Sequence, residues 1–177
     1  MKENKRSVYR RGADDGLKLG PLLMLTVTLV GAAPFVPWLT MPALAAIVAV
    51  PVMAYILLKR GLNEDGEYEP FSGTWLHGTC MFFFGGLLLA LYVFAALRWW
   101  QPGYYERMFE MTIEVLKDQP GAQSNEMVKQ MQQMIDNHEL PSAHDTAIEL
   151  LYFTTVSGAM LTTVLALIAR AFHKFKK

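Results

Sequence analysis

The longest hydrophobic segment of the chain covers residues 19–58 and contains no charged side chain. An α-helix crosses the hydrocarbon core of a bilayer, about 30 Å thick, in roughly 20 residues, because each residue advances about 1.5 Å. The segment is therefore long enough for two crossings, and Pro34 and Pro37 mark a turn between them. Charge-free segments at residues 71–97 and 150–169 bring the predicted number of spans to four.

The composition also indicates an integral membrane protein, since 53% of the 177 residues are hydrophobic and 12% are aromatic. A soluble domain of this size usually carries fewer. The length leaves room for one domain. We predict an all-α fold, an integral membrane four-helix bundle that forms a single four-span domain over residues 1–177. The spans are expected at about residues 17–36, 42–58, 74–97 and 149–169.

The segment between spans 3 and 4, residues 98–148, is predicted to be an extracytoplasmic helical hairpin. Apolar positions recur at helical spacing on both sides of Pro120-Gly121, which interrupts the helix. Ser124 or Asn125 is expected to cap the second helix of the hairpin. Ser142, three residues before Asp145, is expected to cap a further helix that continues into the fourth span.

The distribution of basic residues predicts the orientation of the spans. Twelve of the sixteen Lys and Arg residues lie in the N-terminal segment, in the connection between spans 2 and 3, or in the C-terminal tail. Cytoplasmic segments of membrane proteins carry such an excess of positive charge. We therefore expect a multi-pass protein with both termini in the cytoplasm.

A cleavable signal peptide is the alternative for the N-terminal region. Ala43-Leu44-Ala45 matches the small-x-small pattern that precedes a cleavage site. The apolar segment before it is longer than the roughly 7–15 residues of a signal-peptide core, and the hydrophobicity continues beyond it. We expect the N-terminus to be retained.

An acidic row in the outer segment is a candidate surface for a partner. Glu106, Glu110 and Glu114 follow each other at intervals of four residues, so they share one helix face. Such a row attracts a divalent cation or a basic partner, although a solvated helix face carries the same pattern.

A methionine stripe in the second helix of the hairpin is the other candidate partner surface. Met127, Met131 and Met134, followed by His138, recur at helical spacing. Thioether sulfurs bind Cu(I), but methionine equally fills the apolar face of an ordinary amphipathic helix, which is the interpretation we adopt. We predict no catalytic residue, no cofactor and no metal site.

The predicted spans contain few ionisable residues but several small residues. His77, at the inner start of the third span, is expected to be interfacial and partly hydrated. Small residues four apart allow helix backbones to approach closely. The helix-packing candidates with this spacing are Gly12, Gly16 and Gly20, and Thr154, Gly158 and Thr162; the adjacent pair Gly85-Gly86 adds a smooth patch at the centre of the third span.

Several of these features together resemble one family. They are the segment Gly16-Leu17-Lys18-Leu19-Gly20, the pair Lys59-Arg60 after the second span, Phe71-Ser72-Gly73 before the third span, the methionine-rich hairpin and the basic tail. The chain thereby resembles domain of unknown function family 4199, small four-span inner-membrane proteins of Gram-negative bacteria. The resemblance implies the bacterial inner (cytoplasmic) membrane and an association with a polyprenyl-phosphate glycosyltransferase. It implies no functional residues.

Two functions are compatible with the sequence. The first is a non-enzymatic accessory or scaffold subunit that positions a partner, either another membrane protein or a second copy of the chain. The alternative is a small transporter or lipid-handling protein in which Phe82, Phe83, Phe84 and Tyr92 line an apolar cavity. Membrane lipids are expected partners in both cases, a polyprenyl-linked lipid among them, and nucleic acid is not.

Overall fold

The computed structural model describes residues 7–64, 70–117 and 122–174, and all regular structure in these ranges is helical. Four of the helices are long and apolar enough to span a membrane, namely α1, α2, α3 and α6. The predicted all-α membrane fold is therefore confirmed. The helices are α1 (Val8–Ala32), α2 (Thr40–Glu64), α3 (Phe71–Ala95), α4 (Tyr104–Lys117), α5 (Ala122–Asp136) and α6 (Ala143–Lys174).

Local sequence signals explain both ends of α1. The helix begins after Ser7, whose hydroxyl oxygen accepts a hydrogen bond of 3.3 Å from the backbone N–H of Arg10. It therefore begins well before the span predicted from residue 17, and it includes several charged residues. It ends at Ala32, and Ala33 still has helical backbone angles. Pro34 follows, and because proline has no backbone N–H it cannot continue the helical hydrogen bonds.

The beginning of α6 matches the capping motif predicted from the sequence. The Ser142 hydroxyl accepts a hydrogen bond of 3.1 Å from the Asp145 backbone N–H and donates one of 2.6 Å to the Asp145 carboxylate. From this cap α6 continues without interruption to Lys174, as predicted. The predicted break at Pro120-Gly121 lies outside the described residues. The predicted cap at Ser124 or Asn125 is wrong, because α5 already begins at Ala122 and both residues lie inside it.

The chain divides into two compact units. The bundle unit comprises Met1–Tyr92 and Ala147–Lys177, and it contains the four long apolar helices over most of their length. The α4–α5 unit comprises Val93–Thr146. In the α4–α5 unit the two helices pack against each other, and Ile113 is buried.

Helix α3 approaches α1 through glycine. A Cβ atom placed on Gly16 would lie 2.7 Å from the Met81 carbonyl oxygen and 3.1 Å from the Gly85 nitrogen. On either side of this point, a Cβ on Gly12 would lie 2.5 Å from Cys80 Cβ, and one on Gly20 would lie 2.8 Å from Leu88 Cδ1. At Gly12 and Gly16 the helices are thus closer than a side chain would allow, whereas at Gly20 the end of the Leu88 side chain would have to move.

The opposite side of α3 packs against α6 in the same way. The ring of Phe82 occupies the space where Gly158 would carry a side chain. Gly86 faces Thr154, whose Cβ would lie 3.2 Å from an added Cβ, and Gly78 faces Thr162. The structure thus divides the helix-packing candidates between two interfaces: Gly12, Gly16, Gly20 and Gly85 lie between α1 and α3, and Gly86, Thr154, Gly158 and Thr162 lie between α3 and α6.

We expect Gly158→Ala to destabilise the bundle by about 1–3 kcal/mol, because even one methyl group overlaps the Phe82 ring. The loss is measured as a lower thermal unfolding temperature of the purified protein in detergent. Val164→Leu, an added carbon at an exposed position of the same helix, is the matched control and should leave the temperature unchanged. Equal unfolding temperatures for Gly158→Ala and the unchanged protein would contradict the close α3–α6 contact.

Candidate functional site

An aspartate and a histidine meet inside the bundle unit. His77 Nε2 on α3 lies 3.0 Å from Asp15 Oδ2 on α1. The His77 side chain is 2% exposed and that of Asp15 is 12% exposed. The expectation that His77 is a partly hydrated residue is therefore wrong, because the ring is enclosed by protein and hydrogen-bonded within it.

Three helices contribute to this pair. Asp15 and Lys18 are three residues apart on α1 and so lie on the same face, which allows Lys18 Nζ to donate a hydrogen bond of 2.6 Å to Asp15 Oδ1. The ring of His77 lies against Gly61 of α2, where an added Cβ would be 2.8 Å from Cε1 and 3.0 Å from Nδ1. The absence of a side chain at Gly61 thus makes room for the imidazole.

The hydrogen bonds define the chemistry of the pair. The ammonium group of Lys18 balances the charge of the carboxylate, and an ionised carboxylate only accepts hydrogen bonds. Nε2 of His77 is therefore the protonated nitrogen that donates to Asp15. Burying a carboxylate without such donors costs several kcal/mol, so Lys18 and His77 are what allow Asp15 to be inside the bundle.

Asp15 is not among the residues predicted from the sequence, although the sequence contains a signal for it. Asp15 is three residues after Gly12 and adjacent to Gly16, so it lies beside the glycine row that faces α3. The first span predicted from the sequence begins at about residue 17 and so leaves Asp15 outside it. The glycine row, read as a contact face, predicts a buried position for residue 15.

A cleft opens beside the pair. It has a volume of about 320 Å³ and is lined by residues of α1 and α2. Asp15, which is hydrogen-bonded to His77, and Gly61, which lies against the His77 ring, both line it. The other charged residues that line the cleft are Arg11, Asp14, Lys18 and Arg60.

The candidate partner surfaces lie in the α4–α5 unit. Glu106, Glu110 and Glu114 are all exposed on α4. Met127 is 43% exposed, whereas Met131 and Met134 are half-buried in α5. The structure thus places the acidic row on the surface and turns most of the methionine stripe partly inward.

The predicted stripe does not extend to His138. Helix α5 ends at Asp136, and His138 follows with a φ angle of 54°, in the left-handed region. Its side chain is therefore not on the face that Met131 and Met134 share. Among the residues that the structure describes, no group of three or more His, Cys, Asp or Glu side chains is arranged to hold a metal ion.

A second cleft, of about 330 Å³, lies within the α4–α5 unit. Tyr104 and Tyr105 line it, and the Tyr105 hydroxyl forms a hydrogen bond of 2.9 Å with the Thr146 hydroxyl. Burial raises the pKa of the Tyr104 phenol, and Tyr105 adds to this shift, so Tyr104 stays protonated at neutral pH.

The aromatic residues assigned to an apolar cavity do not surround a common space. Phe82 is buried against Gly158 of α6, while the Cβ of Phe84 lies against Gly16 of α1. Phe83 is exposed, and the Tyr92 hydroxyl is hydrogen-bonded to Thr28 at 2.7 Å. The predicted cavity between these four side chains is therefore wrong.

We expect Asp15 and His77 to be energetically coupled. A double-mutant cycle of Asp15→Asn and His77→Gln should give a coupling of about 0.5–3 kcal/mol in the free energy of unfolding, measured in detergent micelles. The same cycle with Asp136→Asn, an exposed carboxylate of α5, should be additive with His77→Gln. Additive effects in the Asp15–His77 cycle would show that the hydrogen bond stabilises nothing.

Comparison with known proteins identifies a family. The family model described as protein of unknown function (DUF4199) matches residues 16–171. No curated protein and no solved structure matches the chain. The match begins just after Asp15 and includes His77, Gly61 and all four long apolar helices over most of their length. Since it covers far more than half of the 177 residues, the chain belongs to the DUF4199 family.

Proposed function

We propose that the protein is a non-enzymatic accessory or scaffold subunit of the bacterial inner membrane, with both termini in the cytoplasm. It stabilises, anchors or positions another membrane protein. The observation that carries this proposal is the surface of α4, where an exposed acidic row runs beside exposed apolar side chains.

The surface of α4 combines two features of a docking site. Glu110 and Glu114 form one exposed row, and Met111 and Val115 form a second row directly beside it. Val115 is 59% exposed, although its size and apolar character suit burial. A partner with basic and apolar side chains would neutralise the first row and bury the second.

The bundle unit supports a non-enzymatic role. The two oxygens of the Asp15 carboxylate accept hydrogen bonds from Lys18 and His77 of the same chain, so the Asp15–His77 pair stabilises the fold of the bundle unit. The faces of α2 and α6 that point away from the bundle unit are apolar and exposed, for example at Val52, Tyr152 and Met160. Such faces suit lipid, a partner helix or a second copy of the chain.

The concrete form of the proposal is a helper of a polyprenyl-phosphate glycosyltransferase. The family resemblance supports this form of the proposal. Identification of the protein that copurifies with the chain tests it. An enzyme of this class has its own reaction centre, which agrees with a subunit that contributes membrane helices and a docking surface.

We expect affinity purification from native membranes in mild detergent to recover one stoichiometric protein partner, identified by mass spectrometry. The triple change Glu106→Gln, Glu110→Gln and Glu114→Gln should lower its recovery about tenfold, since each exposed charge pair contributes about 0.5 kcal/mol. The matched control is Glu126→Gln, Asp136→Asn and Glu139→Gln, which removes three exposed carboxylates of the same unit outside α4.

Two results would count against this proposal. Recovery of the protein alone in several mild detergents contradicts the accessory role. Recovery of a partner that both triple variants retain equally contradicts the α4 surface but leaves the role standing.

The orientation gives a further prediction. A periplasm-dependent alkaline phosphatase fused after Lys177 should be inactive, and the same enzyme inserted after Gln133 should be active. The reason is the positive-inside distribution, in which twelve of sixteen Lys and Arg residues lie on the side of the termini. The reciprocal control is a fluorescent protein that folds only in the cytoplasm, placed at the same two positions. Phosphatase activity after Lys177 and none after Gln133 would contradict the proposed orientation.

A further inference from the structure

We propose that the cleft between α1 and α2 binds the phosphodiester headgroup of an anionic phospholipid. This inference does not depend on the protein partner proposed above, because the cleft belongs to the bundle unit and the acidic row to the α4–α5 unit.

The charges of the cleft favour an anion. Arg11, Lys18 and Arg60 line it together with Asp14 and Asp15, which leaves an excess of one positive charge among the lining side chains. The Asp15 carboxylate is already balanced by Lys18 at 2.6 Å, so the excess resides on the two guanidinium groups. A guanidinium carries five N–H donors, and one that bonds within the chain still has donors for phosphate oxygens.

The volume of the cleft suits a headgroup. About 320 Å³ lies at the lower end of the range for small-molecule sites, whereas a complete lipid is larger. The acyl chains must therefore lie outside the cleft, against the surface of the bundle unit.

That surface continues from the cleft as two apolar strips. On α1, Leu17 lines the cleft and Leu25, two turns further into the span, is exposed on the same face. On α2, which runs in the opposite direction, Ile56 and Val52 follow Arg60 at intervals of four residues and are exposed. Each strip extends for about 12 Å along its helix, close to the roughly 15 Å of one leaflet of the hydrocarbon core.

The arrangement is therefore that of an amphiphile site. A basic cleft between helices at the cytoplasmic end of a bundle binds lipid phosphate, and adjoining apolar strips hold the chains. A soluble phosphate compound would use the cleft alone, and only a lipid uses the strips as well.

The test is native mass spectrometry of the full-length protein in detergent with phosphatidylglycerol or phosphatidylcholine added at equal concentration. We expect retention of phosphatidylglycerol over phosphatidylcholine, and no displacement by excess inorganic phosphate. Arg60→Gln should lower the retained phosphatidylglycerol about fivefold, in keeping with the contribution of one basic side chain near anionic lipid. Arg11→Gln, which removes the other guanidinium that lines the cleft, should act in the same direction.

Lys59→Gln is the matched control, because Lys59 is the adjacent basic residue and is exposed but does not line the cleft. It should leave retention unchanged. An equal loss in Lys59→Gln and Arg60→Gln would overturn the proposal in favour of a diffuse basic belt. Displacement by inorganic phosphate would overturn it in favour of a soluble anion, and equal retention of both lipids would show that the cleft does not select a headgroup.

Discussion

The burial of one carboxylate is the constraint on which the rest of the bundle unit depends. Asp15 lies in a bundle whose other buried groups are mostly apolar, and such a charge is tolerated only where donors meet it. Lys18 of the same helix supplies one donor and His77 of α3 supplies the other. This requirement constrains the rotation of α1 about its axis and the height of α3 beside it, because a change in either would take His77 away from the buried carboxylate.

Close backbone packing brings these groups within reach. Gly16 and Gly85 allow α1 and α3 to approach, and Gly61 of α2 leaves room for the imidazole ring. Without a hydrophobic driving force between helices in lipid, such contacts and buried hydrogen bonds are the available sources of specificity. The Asp15–His77 hydrogen bond therefore depends on the glycine contacts, because it forms only when the backbones of α1 and α3 are close together. That close approach is possible only where the facing residues are glycine.

The two units divide the proposed roles between them. In the bundle unit the buried polar groups serve cohesion, and the basic cleft beside them is proposed to face lipid headgroups. In the α4–α5 unit the amphipathic helices bury Ile113 but leave Val115 and the acidic row exposed. Membrane attachment and partner binding thus rest on different residues, which allows a variant of one to be used as a control for the other.

The sequence by itself determined the helices, because hydrophobic length, proline positions and caps act within a few residues of one another. The four long apolar helices, the turn near Pro34 and the Ser142 cap all follow from such local signals. Only the tertiary structure decided the surroundings of Asp15 and His77, which are 62 residues apart in the chain. Whether a charged residue at a helix end meets water or another helix depends on the rotation and spacing of both helices, and these arise from contacts between distant segments.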